Sequence, residues 1–198
     1  MLYSTHSISL YLQFFIKSQP IRVEHQSQEK EQYILEEKTN VMRILDKKKI
    51  AYTAHKYSDT EAVSGTEVAA VLGQDPKRVF KTLVTAGKSK NYYVFVIPVE
   101  KELDLKKAAK AVGEKSIEML KSKELFALTG YIHGGCSPIG MKKFFRTTFQ
   151  QEAADYETIM FSAGKIGYQV ELPLSEVDKV IRYQLGDVVV ENLVVKKC

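Results

Sequence analysis

The chain has 198 residues, 44% of them hydrophobic, enough for one sizeable domain around a single core. Its net charge of +5 suits an anionic partner such as RNA, although many unrelated proteins share that balance. Two cysteines, Cys136 and Cys198, exclude a disulfide framework, and no apolar run reaches the roughly 18–20 residues that cross a bilayer; a cytoplasmic protein without membrane contact is expected.

The N-terminus opens with "ISLYLQFFI", residues 8–16, which is apolar but short and lacks a small-residue cleavage pattern after it. A highly polar stretch follows. Residues 1–37 are therefore expected to be a non-core extension, disordered or, as the alternative, a weak signal-type segment, with one domain spanning 38–198. Asn40 is placed to cap a helix whose Val41, Ile44 and Leu45 share a face. "IAYTAHKY" reads as a strand. Ser64 and Glu67 have capping-box spacing before Val68, Val71 and Leu72, and Gly73 supplies the stop. Strands are expected at "RVFKTLV" and "NYYVFVIP". Asp104 opens and Gly113 ends a helix with Leu105, Ala108, Ala109 and Val112 on one side. Ser122 is placed to cap another helix, and Ser175 to open a short one. Late strands are expected at "TIMFSAG", "IGYQVEL" and "DVVVENLVV". The pattern predicts one α/β domain with a mixed sheet.

Three stretches stand out. In "RVFKTLV" Val79, Lys81 and Leu83 alternate with Phe80, Thr82 and Val84, so a lysine sits in the middle of a half-buried face. Such a lysine is either a snorkelling side chain with a wet head or a cation held for a purpose. "GYIHGGCSPIG", residues 130–140, carries four glycines, and "SAGKIG", residues 162–167, is a second small-residue loop. Consecutive N–H groups in such loops can converge on an anion, although either loop can equally be an ordinary turn. Neither matches a known nucleotide-phosphate fingerprint. The histidines His6, His25, His55 and His133 are scattered without metal-ligand spacing, so no metal is expected. A Schiff-base lysine with pyridoxal phosphate is opposed only by the missing phosphate-cup motif; no cofactor is expected.

Taken together, "VFKTLV", "LDLKKAAKAVG", "GYIHGGCSPIGMKK" and "FSAGKIGYQVEL" resemble, in order and spacing, the YbaK/EbsC family of freestanding aminoacyl-tRNA deacylases. These are related to the editing domain of bacterial prolyl-tRNA synthetase. The likeness covers about residues 38–190. It implies a curved, barrel-like mixed sheet surrounded by helices, and clearance of mischarged tRNA, most typically Cys-tRNA(Pro), with prolyl-tRNA synthetase as a candidate partner. By resemblance, Lys81, Tyr57 and Gly135 are the expected catalytic residues. Thr82, Gly134, Cys136, Ser137, Pro138, Gly140, Ser162, Gly164 and Gly167 are the expected substrate-binding ones. The backbone N–H groups of residues 134–137 are expected to be available to an oxyanion. The resemblance also implies that the substrate's own thiol attacks its ester, rather than a Cys136–His133 pair acting as the nucleophile. One departure is visible. Where several relatives carry an aspartate, this chain has Gln150; the acid is dispensable, or Glu152 replaces it, or amino-acid preference differs.

A second class stays open: a module that holds a tRNA acceptor end without reacting. Lysine clusters at 47–49, 106–107 and 142–143 would serve an enzyme or a binder equally, and they gain meaning if they line one rim.

Overall fold

The computed structural model describes residues 38–62 and 64–191. The expectations for residues 1–37, for Cys198 and for the end of "DVVVENLVV" lie outside the described residues.

Helix α1, Asn40–Lys47, starts one residue earlier than Asn40 capping implies: Thr39 is the N-cap, and its hydroxyl accepts from the Met42 N–H at 3.3 Å. Strand β1, Thr53–Lys56, follows. Helix α2, Gly65–Val71, has the expected capping box, with the Glu67 N–H donating to Ser64 Oγ and the Ser64 N–H to Glu67 Oε2. Gly73 takes φ +63° just beyond its end. The long strand β2, Val79–Gly87, turns back into β3, Tyr92–Pro98. Helix α3, Leu105–Val112, is capped by Asp104 and stopped by Gly113 at φ +77°, as its sequence predicts. Strand β4, Ile117–Met119, and helix α4, Ser122–Thr129, come next; Lys121 rather than Ser122 is the N-cap of α4, without a side-chain bond. Strand β5, Arg146–Gln150, leads into a 3-10 turn at Gln151–Asp155. Strands β6, Ile159–Ser162, and β7, Tyr168–Leu172, precede helix α5, Leu174–Val177, which Pro173 rather than Ser175 opens. The last strand, β8, is Tyr183–Gly186. "DVVVENLVV" was expected to be a strand, yet among the described residues it contributes only a bridge from Val189 to Leu103.

The eight strands form one mixed sheet in the order β1-β7-β6-β2-β3-β5-β8, with β4 on the distal half of the β2 edge. Pairs β2–β6, β3–β5 and β5–β8 are parallel and the rest antiparallel. One face buries Phe80, Val84, Val96, Phe149, Phe161 and Val170 with α1 in the main core. Each such fully buried side chain contributes roughly 1.5–3 kcal/mol. The other face is covered in two places. Val79 and Met160 pack against Ala69 of α2 and Val99. Phe95 and Ile97 pack against Ala108, Ala109 and Val112 of α3. Between those two patches, on the same face, lies Lys81. No helix among the described residues is long and apolar enough to cross a membrane.

Candidate active site

Strand register assembles a polar row around Lys81. Directly opposed residues in neighbouring strands project to the same face. Lys81 opposes Ile97 on β3, and extending the Val79–Met160 and Phe80–Phe161 pairs by one residue aligns it with Ser162 on β6. Ser162 opposes Gln169 on β7, and Gln169 opposes His55 on β1. Tyr57, two residues past His55, continues that face; its N–H donates to Gly167 O at 2.8 Å and its carbonyl accepts from Thr60.

The electrostatics of the row are uneven. Burial pushes the Lys81 ammonium below its ordinary range, with Glu102 offsetting part of the effect. Its Nζ donates to Val99 O at 3.1 Å, one of three available donors. Glu171, nearer the sheet edge, cannot serve the row. His55 Nε2 meets its Oε2 at 2.8 Å, while its Oε1 takes Arg78 at 3.0 Å and Thr158 at 2.6 Å. Although burial opposes it, these partners hold the Glu171 carboxyl below its usual range. Gln169 is 5% exposed, and its Oε1 is buried without a hydrogen-bond partner among the described residues. An orphaned carbonyl costs about 1–3 kcal/mol, which an incoming donor would recover. Sequence reading missed Gln169. Its only signal was a polar residue between Tyr168 and Val170.

The two glycine loops meet at the end of this row. A Cβ on Gly135 would lie 3.2 Å from the Ile166 N, and one on Gly134 3.6 Å from the Ile166 side chain. Ser162 Oγ accepts from the Gly164 N–H at 3.2 Å, which leaves its proton to donate elsewhere. The Gly135 N–H, however, donates to Ile132 O at 3.1 Å, so the expectation that residues 134–137 all offer N–H groups is corrected at that position. The N–H groups of Gly134, Cys136 and Ser137 make no hydrogen bond among the described residues.

Other candidate residues lie on the far side of the sheet. Thr82 alternates away from Lys81. The Cys136 side chain packs in the main core, and burial pushes its thiol up to about 12, whereas His133 is exposed. Ser137 is buried and its Oγ accepts from the Ile139 N–H at 3.4 Å. Gly164, at φ +84°, has Tyr131 and Val41 on its Cβ side. Pro138 and Gly140 line a cavity of about 310 Å³ that none of Lys81, Tyr57, Ser162 or Gln169 touches. The candidate site is placed on the row rather than in that cavity because only the row combines a desolvated cation with an orphaned acceptor.

The aminoacyl-tRNA editing domain profile matches residues 60–180. A curated relative from Enterococcus faecalis (strain ATCC 700802 / V583), named "Putative Cys-tRNA(Pro)/Cys-tRNA(Cys) deacylase EbsC", is 51% identical over 138 residues, covering 69% of this chain and 84% of its own. The chain belongs to the aminoacyl-tRNA editing domain family. Two crystal structures share the fold of this editing domain at TM-score 0.68. One, "Crystal structure of a putative trans-editing enzyme for prolyl tRNA synthetase", is 20% identical and covers 77% of this chain and 99% of its own. The other, a hypothetical protein, is 19% identical and covers 77% and 100%.

Gln150 has a distinct role in this editing domain. It is 1% exposed; its Oε1 accepts from the Val188 N–H at 2.8 Å, and its Nε2 donates to Glu152 and to Asp187 at 3.5 Å. An aspartate could not donate to two carboxylates, so the amide ties β5 to the chain leaving β8, and Glu152 is already engaged.

The tightest backbone approach in the editing domain gives a stability prediction. Gly167 has φ +90°, and a Cβ there would lie 2.8 Å from Ser58 Cα. Gly167→Ala is expected to cost about 2–3 kcal/mol, roughly 4–12 °C in Tm, read by thermal denaturation. Gly135→Ala, without positive φ, should melt within about 3 °C of wild type.

Proposed function

We propose that this chain is a trans-acting aminoacyl-tRNA deacylase of the cytoplasm that removes cysteine from Cys-tRNA(Pro) or Cys-tRNA. The observation that carries this reading is the row Lys81–Ser162–Gln169. It sets a desolvated cation, a hydroxyl donor and an unpartnered acceptor side by side on one sheet face. An aminoacyl-tRNA end carries matching chemistry: a phosphate, an ester carbonyl and an α-ammonium. Lys81 anchors the terminal phosphate as a charge-assisted partner. Gln169 Oε1 accepts from the α-ammonium. The Ser162 hydroxyl and the unbonded N–H of Gly134 stabilise the oxyanion, and Tyr57 walls the edge.

Attack comes from within the substrate. The cysteine thiolate adds to its own ester carbonyl carbon, forming a C–S bond. Collapse breaks the C–O bond to the ribose, whose oxygen takes up a proton. The four-membered thiolactone released is then opened by water to free cysteine. Cys136 takes no part, its thiol being protonated in the core.

The test is a deacylation panel with Cys-, Ala-, Ser- and Pro-charged tRNA(Pro), wild type beside Gln169→Leu. Wild type should release cysteine fastest. The variant should lose about tenfold in kcat/KM, the value of one hydrogen bond to a charged group. Release at the buffer rate from all four would mark a binder instead of an enzyme.

A further inference from the structure

We propose that the groove on the opposite side of the Gly134–Gly140 loop is a docking track for single-stranded RNA, specifically the 3′ end of the tRNA substrate. The sequence raised three lysine clusters, and the structure sorts them. Lys48, Lys142 and Lys143 line the cavity of about 310 Å³, together with Pro138 and Gly140. Lys107 of the remaining cluster is committed to Asp187 at 2.8 Å and Glu191 at 3.0 Å. A second cavity of about 150 Å³ adjoins the first, sharing Phe144 and Thr147 and adding Arg146 and Arg182. Five cationic residues thus border the two adjoining cavities, of which Lys142 donates through Nζ to Phe126 O at 3.2 Å.

No aspartate or glutamate is among the described residues that line either cavity. In a chain with 24 acidic residues against 29 lysines and arginines, that segregation selects for a polyanion. Arg146 is held rigidly: it donates to Val112 O at 3.1 Å, to Ala111 O at 3.3 Å and to Gln184 Oε1 at 2.8 Å. Its charge is fixed at the groove edge without a carboxylate partner among the described residues. Asp178 lies close enough to the lining to influence Tyr183.

Phe144 distinguishes a nucleic acid from a simple anion. It stands between the two cavities and is 70% exposed, the most exposed large hydrophobic residue of the described chain. Phosphate-binding cations interleaved with an exposed ring are what an unpaired strand needs: charge for the backbone, a flat surface for one base. Duplex RNA keeps its bases stacked and offers that ring nothing. The same loop walls both places. Its Pro138 and Gly140 border the groove, while Gly134 and Gly135 face the turn beside the Lys81 row. A strand held in the groove therefore ends against the loop that edges the candidate active site. This placement rests on the deacylase reading; RNA binding itself does not.

Fluorescence anisotropy tests it with a labelled, uncharged eight-nucleotide RNA ending in CCA. Wild type should bind the single strand more tightly than the same sequence in a duplex. Phe144→Ala should weaken binding about tenfold. Phe144→Leu, which keeps apolar bulk but not the ring, should behave like Phe144→Ala. Lys143→Ala should lower the slope of log K against log salt by about 0.7, one phosphate's share for a single strand. Circular dichroism melts verify that the variants fold. Wild-type affinity and salt slope in all the variants would overturn the proposal and leave the groove to a protein partner. The oligonucleotide carries no ester, so a failed deacylation panel with intact RNA binding refutes the active-site reading alone.

Discussion

Lys81→Met and Lys81→Ala are expected to reduce single-turnover deacylation of Cys-tRNA(Pro) by about 10²–10³-fold while leaving Tm close to wild type. The activity loss follows from removing a charge that meets phosphate in a water-poor site. Stability is spared because the folded state already disfavours that charge, as its lowered pKa shows. Only the bond to Val99 O is forfeited. Methionine keeps the apolar stem, so agreement between the two variants assigns the effect to the charge rather than to packing. Cys136→Ala is the control and should retain nearly full activity. A dead Cys136→Ala beside an active Lys81→Ala would reverse the assignment.

The same lysine sets an alkaline limb. The ammonium is the active form, so kcat/KM, which reports the free enzyme, should fall as pH rises through a pKa below the ordinary 10.5. Bound phosphate favours the charged form, so the corresponding limb in kcat should lie at higher pH. After subtraction of spontaneous ester hydrolysis, Lys81→Met should lack that limb in both.

Local chemistry made much of this architecture legible. The Ser64 capping box and the Asp104–Gly113 bracket each act within a few residues, and both formed as their sequence requires. Strand β5 was illegible because "RTTFQ" buries polar groups instead of alternating them. Thr147 donates to Phe145 O, Thr148 accepts from Gln184, and Gln150 takes the Val188 N–H. Those partners lie up to 38 residues away, beyond any periodicity window. The described start of "DVVVENLVV", residues 187–191, differs the other way: it is strongly β-prone, yet among the described residues it pairs only at Val189 with Leu103. At the site, Lys81 was visible as a charge in an apolar strand. Gln169 was not, because its meaning arises only when β7 pairs with β6 and β6 in turn with β2. The glycine loop was recognisable as a unit, yet its division between two sides of the sheet was hidden. Gly134 and Gly135 go to the row, while Cys136 and Ile139 go into the core.

Blocking the substrate thiol should slow the reaction more than any substitution that leaves Lys81 in place. With S-methylcysteinyl-tRNA(Pro), the single-turnover rate is expected to fall at least about 10²-fold below that of Cys-tRNA(Pro), with Ala-tRNA(Pro) similarly slow. Internal attack of the kind proposed draws on effective molarities of about 10⁵–10⁸ M, or ~7–11 kcal/mol, of which a bound water recovers only part. Two described groups that could replace it are not free to do so. Cys136 is buried with its thiol pushed up to about 12, and the Glu171 carboxylate is occupied by His55, Arg78 and Thr158. The methyl thioether keeps the sulfur and adds one methyl group, whereas alanine removes the sulfur, so the two bracket cysteine in size while both lack the nucleophile. Competition separates loss of the nucleophile from loss of fit: the S-methyl substrate should inhibit Cys-tRNA(Pro) turnover with a Ki close to the substrate's own dissociation constant. Rate should also rise with pH toward the cysteine thiol pKa of about 8.5, before the Lys81 limb turns it down. If the S-methyl ester is cleaved as fast as the free thiol, water is the attacking group. The Ser162 hydroxyl and the Gly134 N–H would then be stabilising a tetrahedral intermediate made by that water, and Gln169→Leu should cost the two substrates equally.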